Sequence, residues 1–194
     1  MFAYLNGSFS YKSPTQVHVD IAGIGFDVQI SLHTYELIRS MDAGKLHIHQ
    51  IVKEDAHLLY GFAEKVEKDV FLHLLSVSGV GASTARVMLS SMNPNELVQA
   101  IVSGNEAVLE RIKGIGKKTA QRIVLELKDK MAKIGVDQPS AALMNNSLEQ
   151  EALIAMTALG IAKNAAESAI KKALSTEGSF SQVQALIKAA LKCL

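Results

Sequence analysis

Val77-Ser78-Gly79-Val80-Gly81-Ala82-Ser83-Thr84-Ala85 recurs thirty-five residues further on as Ile112-Lys113-Gly114-Ile115-Gly116-Lys117-Lys118-Thr119-Ala120. Each copy reads as a helix, a Gly-apolar-Gly turn and a second helix. Downstream, Ala85, Met88, Leu89 and Met92 repeat at i, i+3, i+4 and i+7, as do Ala120, Ile123, Val124 and Leu127, so each turn opens an amphipathic helix. Upstream, Leu74 and Val77 stand at the offsets of Leu109 and Ile112, so the first helices correspond as well. Two matched hairpins can pack as one unit.

Glycine permits positive φ and lets a foreign backbone come close, while the helix that follows offers unpaired N–H groups and the positive end of its dipole. Together these bind phosphate. One isolated Gly-Val-Gly would serve equally as a tight connection between packed helices. Duplication favours the ligand reading, as do Lys117, Lys118 and Arg122, cations placed where a helix N-terminus ordinarily prefers acids. A nucleotide-binding P-loop needs Gly five residues before its Gly-Lys pair and Ser or Thr after it, and here those positions hold Arg111 and Lys118. Thr84 likewise stands where a dinucleotide fingerprint wants its third glycine, after a segment that reads as helix. The better ligand is a nucleic acid.

The 194-residue chain carries a formal net charge of only +1, but the charge is unevenly spread. Residues 1–64 hold four Lys or Arg against seven Asp or Glu, and residues 65–133 hold eleven against seven. The excess of positive charge therefore coincides with the repeated turns. Cys193 is the single cysteine, which leaves no internal disulfide and suits a reducing compartment. No apolar run approaches the ~18 residues of a membrane span, and Met1-Phe2-Ala3-Tyr4 does not open like a signal peptide. A cytoplasmic protein without membrane attachment is expected.

The first sixty residues alternate with period two: Val17, Val19 and Ile21, then Phe26, Val28 and Ile30, then Leu46 and Ile48. With the runs Phe2 to Leu5 and Leu58 to Phe62 this predicts about five strands, separated by turns such as Ser13-Pro14-Thr15 and Ala22-Gly23-Ile24-Gly25. A small closed OB-type barrel over 1–63 fits. From 64 to 133 the period is helical, and Asn93-Pro94-Asn95-Glu96 spells a capped helix start. Gly135-Val136-Asp137-Gln138-Pro139-Ser140 and Asn145-Asn146 break the pattern, so 134–147 is expected to be a flexible linker. Ser147-Leu148-Glu149-Gln150 reads as a capping box opening a third segment, 148–194, with helices near 148–158, 163–175 and 180–193. So small a module buries a modest core and suits an adaptor whose ligand is another protein.

This order of parts, with Lys53-Glu54-Asp55-Ala56-His57-Leu58-Leu59-Tyr60-Gly61-Phe62 and the Gly114-to-Ala120 motif, closely resembles the RuvA family over the whole chain. The resemblance implies a multi-domain fold, β then all-α: an N-terminal OB-fold barrel, a central double helix-hairpin-helix domain and a small C-terminal three-helix, UBA-like domain. It implies a homotetramer, or an octamer, that binds four-way (Holliday) junction DNA without reading base sequence. Such a platform targets the RuvB ATPase for branch migration in recombination and repair, and meets the RuvC resolvase through the shared junction. The ATPase would be a separate chain, so this one would need neither catalytic residues nor cofactor.

By the same resemblance Gly79, Gly81, Gly114, Gly116, Lys117 and Lys118 fall at DNA-backbone positions, and helix geometry adds Thr119 and Arg122 as neighbours. The family often has Pro-Lys after its first turn, where this chain has Ala82-Ser83, which leaves that hairpin to its N–H groups and the Ser83 and Thr84 hydroxyls. Glu54 and Asp55 match an acidic pin at the junction centre; without the family they are a solvated turn. Leu159, Gly160 and Ile161 resemble a Leu-Gly turn that docks the motor, although Leu159 and Ile161 could equally close the small core.

Four other readings fit the residues less well. His47 and His49 share a strand face but lack a third metal ligand, and His57 and His73 lack a marked nucleophile. A hairpin-bearing repair enzyme would need a carboxylate cluster or catalytic lysine, whereas Asp129 lies among Lys128, Lys130 and Lys133, where i,i+4 pairing accounts for it. A single-strand RNA binder would want a basic barrel with stacking aromatics, and this barrel segment is acidic.

Overall fold

The computed structural model describes residues 1–134, 144–177, 180 and 182–194. The chain divides into two compact units, Met1–Asp137 and Gln138–Leu194.

The first unit begins with five strands, β1 (Tyr4–Ser13), β2 (Gln16–Ile21), β3 (Ile24–Ile30), β4 (Ala43–Val52) and β5 (His57–Phe62). They close a barrel in the order β1-β2-β3-β5-β4. Every neighbouring pair is antiparallel except β3 and β5, which run parallel with Val28 opposite Leu59 and Ile30 opposite Gly61. Alternation explains the interior: Val17 and Val19, Val28 and Ile30, and Leu46 and Ile48 all point inward and are buried. The expected strands are all present. β1, however, runs eight residues past Leu5, through a register shift between Phe9 and Tyr11 that breaks the period-two pattern.

A short helix missing from the sequence reading, α1 (Leu32–Ile38), bridges β3 and β4. Ser31 caps it, its hydroxyl accepting from the Thr34 amide at 3.0 Å. Beyond the barrel come α2 (Lys65–Leu75), α3 (Ala82–Ser91), α4 (Pro94–Val102), α5 (Glu106–Glu110) and α6 (Lys117–Ile134). The capping box at the start of α4 is formed: Asn93 Oδ1 accepts from the Glu96 amide at 2.9 Å, and Glu96 accepts from the Asn93 amide at 3.1 Å.

Barrel and helices meet along β5. Its alternate residues Tyr60 and Phe62 turn outward and lie 5.3 and 4.8 Å, centroid to centroid, from Phe71 of α2. Gly61 between them is enforced by the interior, since a Cβ there would fall 2.5 Å from Val28 Cγ1. Polar groups add a second joint. Glu67 of α2 is fully buried and accepts from Thr34 Oγ1 at 2.5 Å and from Ser31 Oγ, while Thr34 Oγ1 accepts from the Ala63 amide at 3.0 Å. A buried carboxylate tolerates its site only when donors surround it.

Among its described residues the second unit has three helices, α7 (Met144–Ala158), α8 (Lys163–Glu177) and α9 (Val183–Lys192). They pack a small core of Ala152, Met156, Ala166, Ile170, Ala173 and Leu186. The helical backbone of α7 starts at Met144, so Ser147 lies inside the helix and is not its cap. Apart from the residues at its two ends, the expected linker falls outside the described residues. Among the described residues no helix is long and apolar enough to cross a membrane.

Burial raises the Glu67 carboxyl above its ordinary range, against the lowering effect of the Ser31 and Thr34 hydrogen bonds and of His33. A raised folded pKa means that the folded state holds this proton more tightly than the unfolded chain does. Its contribution is therefore most favourable below the unfolded pKa and is lost as pH rises through the folded one. Glu67→Gln should remove that dependence. Thermal unfolding at a series of pH values should show the parent losing stability relative to the variant between the acid range and neutrality.

Candidate nucleic-acid interface

The two glycine turns are built alike. In the first, Val77 N–H donates to Leu74 O at 3.1 Å, Val80 N–H to Val77 O at 3.0 Å and Ala85 N–H to Gly81 O at 2.9 Å. In the second, Ile112 donates to Leu109 at 3.1 Å, Ile115 to Ile112 at 3.0 Å and Ala120 to Gly116 at 2.9 Å. Gly79 and Gly114 both sit at φ 93°. Val77, Val80, Ile112 and Ile115 are buried in one shared core with Leu74 and Leu109, while the four glycines are exposed. Each turn is thus pinned from beneath by apolar side chains and presents bare backbone above.

Within each turn the glycines do different work. Gly79 and Gly114 supply a left-handed backbone that other residues adopt only with strain. Gly81 is in ordinary extended geometry, φ −87° and ψ 169°, at the N-cap of α3. A Cβ added at Gly81 or Gly116 meets nothing within 4 Å. Neither backbone strain nor internal packing therefore calls for glycine at these two positions. No side chain caps the Gly81 end of α3, so its first N–H groups stay free, and neither α3 nor α6 has an acidic residue in its first turn.

Lys117 and Lys118 are the first two residues of α6; both are exposed, and neither belongs to an ion pair among the described residues. The hydroxyls of Ser83, Thr84 and Thr119 stand on the same first turns. Arg122 behaves differently. Its Nη1 donates to Ser78 O of the other hairpin at 3.3 Å, and its Nε lies 3.7 Å from Glu126 Oε1.

Glu54 and Asp55 form the exposed tip of the β4–β5 hairpin, closed by the Lys53 amide donating to Ala56 O at 2.8 Å. His47 and His49 lie on the outer face of β4, and His49 packs edge-on against Phe71 at 5.8 Å. Partial burial lowers both imidazole pKa values, with nearby Lys68 adding to the effect and Lys45 and Lys65 acting further on His47. Among the described residues no three His, Cys, Asp or Glu side chains gather as a metal site. Asp129 is exposed on α6, and among the described residues it lacks the i,i+4 ion pair expected for it.

In the second unit α7 ends in a Schellman turn: Ile161 N–H donates to Met156 O at 3.2 Å and Gly160 N–H, at φ 87°, to Thr157 O at 3.0 Å. The turn separates its two apolar residues. Ile161 packs against the helical core, whereas Leu159 is 66% exposed.

A five-stranded barrel carrying two phosphate-type hairpins defines a nucleic-acid-binding architecture. Residues 1–61 match the model of the RuvA N terminal domain, and residues 71–129 that of a SAM-like helix-hairpin-helix tandem. The chain is 47% identical, over the full length of both, to the Holliday junction branch migration complex subunit RuvA of Flavobacterium psychrophilum. It is 46% identical to that of Christiangramia forsetii, again over both full lengths, and 45% to that of Cytophaga hutchinsonii, with 99% of each chain covered. The chain belongs to the RuvA family.

The division of work among the glycines is testable by stability alone. Gly79→Ala and Gly114→Ala should each cost about 1 kcal/mol or more in urea unfolding, because the left-handed backbone penalises a Cβ. Gly81→Ser and Gly116→Ser should leave stability equal or slightly raised, serine being a good N-cap.

Proposed function

We propose that this chain binds four-way DNA junctions through the backbone and brings the RuvB ATPase to them for branch migration in recombination and DNA repair. The observation that carries the reading is the pair of like-built turns, each offering bare glycine backbone ahead of a helix N-terminus, in a member of the RuvA family. Gly79, Gly81, Ser83 and Thr84 would hold one stretch of backbone, and Gly114, Gly116, Lys117, Lys118 and Thr119 another, with Arg122 between them. N–H groups and ammonium ions aimed at phosphates fix position without reading bases.

Four copies would set four such grips around a crossed junction, with octamer formation and contact with the RuvC resolvase as further members of the same reading. The Glu54 and Asp55 tips would then meet at the hub, where carboxylates repel phosphates and keep exchanging strands on separate paths. ATP hydrolysis would belong to the motor chain, and no cofactor is assigned to this one. Leu159, which the Schellman turn holds outward, together with Gly160 and Ile161 would dock the motor. Domain limits near 63 and 133, a third domain that takes in α7 from Met144, and a cytoplasmic setting complete the proposal.

A competition assay between immobile four-way junction, linear duplex and single strand at low ionic strength tests the core claim; equal affinity for all three contradicts it. In the same assay, replacing Lys117 and Lys118 by Gln should weaken binding and reduce the slope of log K against log salt by about 0.9 for each phosphate no longer neutralised. Glu54→Gln with Asp55→Asn should preserve junction binding and change the branch-migration rate measured with the motor present. Removing residues 148–194 should abolish motor recruitment and spare junction binding.

A further inference from the structure

The two hairpins are alike in backbone and unlike in charge. After its turn the second has Lys117 and Lys118, while the first has Ala82, Ser83 and Thr84. A lysine can swing its ammonium onto a phosphate, but a backbone N–H cannot. The first turn therefore depends on where its backbone is held, and Arg122 reaches across from α6 to the carbonyl of Ser78, the residue just before Gly79. Glu126, one helical turn further along α6, lies beside the other edge of the same guanidinium, 3.7 Å from its Nε. The repeat offers no reciprocal tie, because the position in α3 equivalent to Arg122 is Val87. Arg86 beside it points the other way, donating to Thr15 O in the β1–β2 turn at 3.2 Å. The lysine-poor hairpin is thus held at both ends by arginine–carbonyl bonds, its turn to the second hairpin and its helix to the barrel.

We infer that Arg122 is a positioning residue that acts through the first hairpin, fixing the Ser78–Gly81 turn relative to the Lys-bearing turn so that both meet the same duplex arm. This rests on the reading that the glycine turns hold DNA backbone. With its guanidinium turned to Ser78 and Glu126, Arg122 serves the grip without being a third phosphate contact. A planar group is needed to satisfy a carbonyl on one edge and a carboxylate on the other, so lysine cannot substitute.

The test is a double-mutant cycle on the full-length chain, with dissociation constants measured for an immobile four-way junction and thermal unfolding followed in parallel. Gly81→Thr blocks the first turn from outside. The site has open space for a side chain, and threonine is an acceptable N-cap whose hydroxyl occupies an N–H that a phosphate would need. Gly116→Thr does the same for the second turn. We expect Gly81→Thr to weaken binding roughly tenfold, and Arg122→Gln to weaken it several-fold alone but less than about twofold once Gly81→Thr is present. Arg122→Lys should behave like Arg122→Gln. In the DNA-free protein, Arg122→Gln should speed amide hydrogen exchange at residues 78–82, with unfolding temperature unchanged.

Equal factors for Arg122→Gln in both backgrounds, or rescue by Arg122→Lys, would make Arg122 an independent phosphate contact and overturn the inference. An unchanged affinity for Gly81→Thr or for Arg122→Gln overturns it as well. If Gly81→Thr and Gly116→Thr both leave junction binding intact, it is the underlying reading of the turns that fails.

Discussion

Everything the hairpins can do depends on the burial of four side chains. Val77, Val80, Ile112 and Ile115 draw two turns down onto one core, and only because they are anchored do the glycines above them stay fixed and exposed. Amide groups on a loose loop would have to be ordered at the moment of binding, at roughly 1–2 kcal/mol per residue. Here folding has already ordered them. The same core continues through Leu74 and Leu109 to Phe71, and from Phe71 to Tyr60 and Phe62 on the barrel. Turn geometry and barrel position are therefore set by one packed network.

Much of this was legible in the chain because the physics is local. Period-two alternation marked the inward residues of β2, β3 and β4, and Val17, Val19, Val28, Ile30, Leu46 and Ile48 are all buried. Asn93 and Glu96 announced a helix start that the structure forms with both bonds. The duplicated turn motif foretold two like-built hairpins, since positive φ at Gly79 and Gly114 follows from local sterics.

What escaped the sequence depends on distant partners. α1 is seven residues long with only Thr34 and Ile38 buried, too little to display a helical period. The outer half of β1 is polar and bulged, so its alternation fades. Glu67 reads as one more surface acid until Ser31 and Thr34 are brought against it from more than thirty residues away. Arg122 reads as one cation among several, and its bond to Ser78 is visible only when the hairpins are packed together. The equivalence of Leu159 and Ile161 in sequence is broken by a turn whose handedness sends one inward and one outward.

The parallel seam between β3 and β5 carries a consequence for how the chain acquires its shape. β5 is the last of the barrel's strands to leave a ribosome, and it both closes the cylinder against Val28 and Ile30 and lays Tyr60 and Phe62 against α2. A nascent chain ending before His57 lacks the staves for a complete barrel and the platform for the helices. Closure must join segments some thirty residues apart, which places it among the slower, non-local steps of assembly. Barrel closure and the seat of the helices therefore rest on the same six-residue strand.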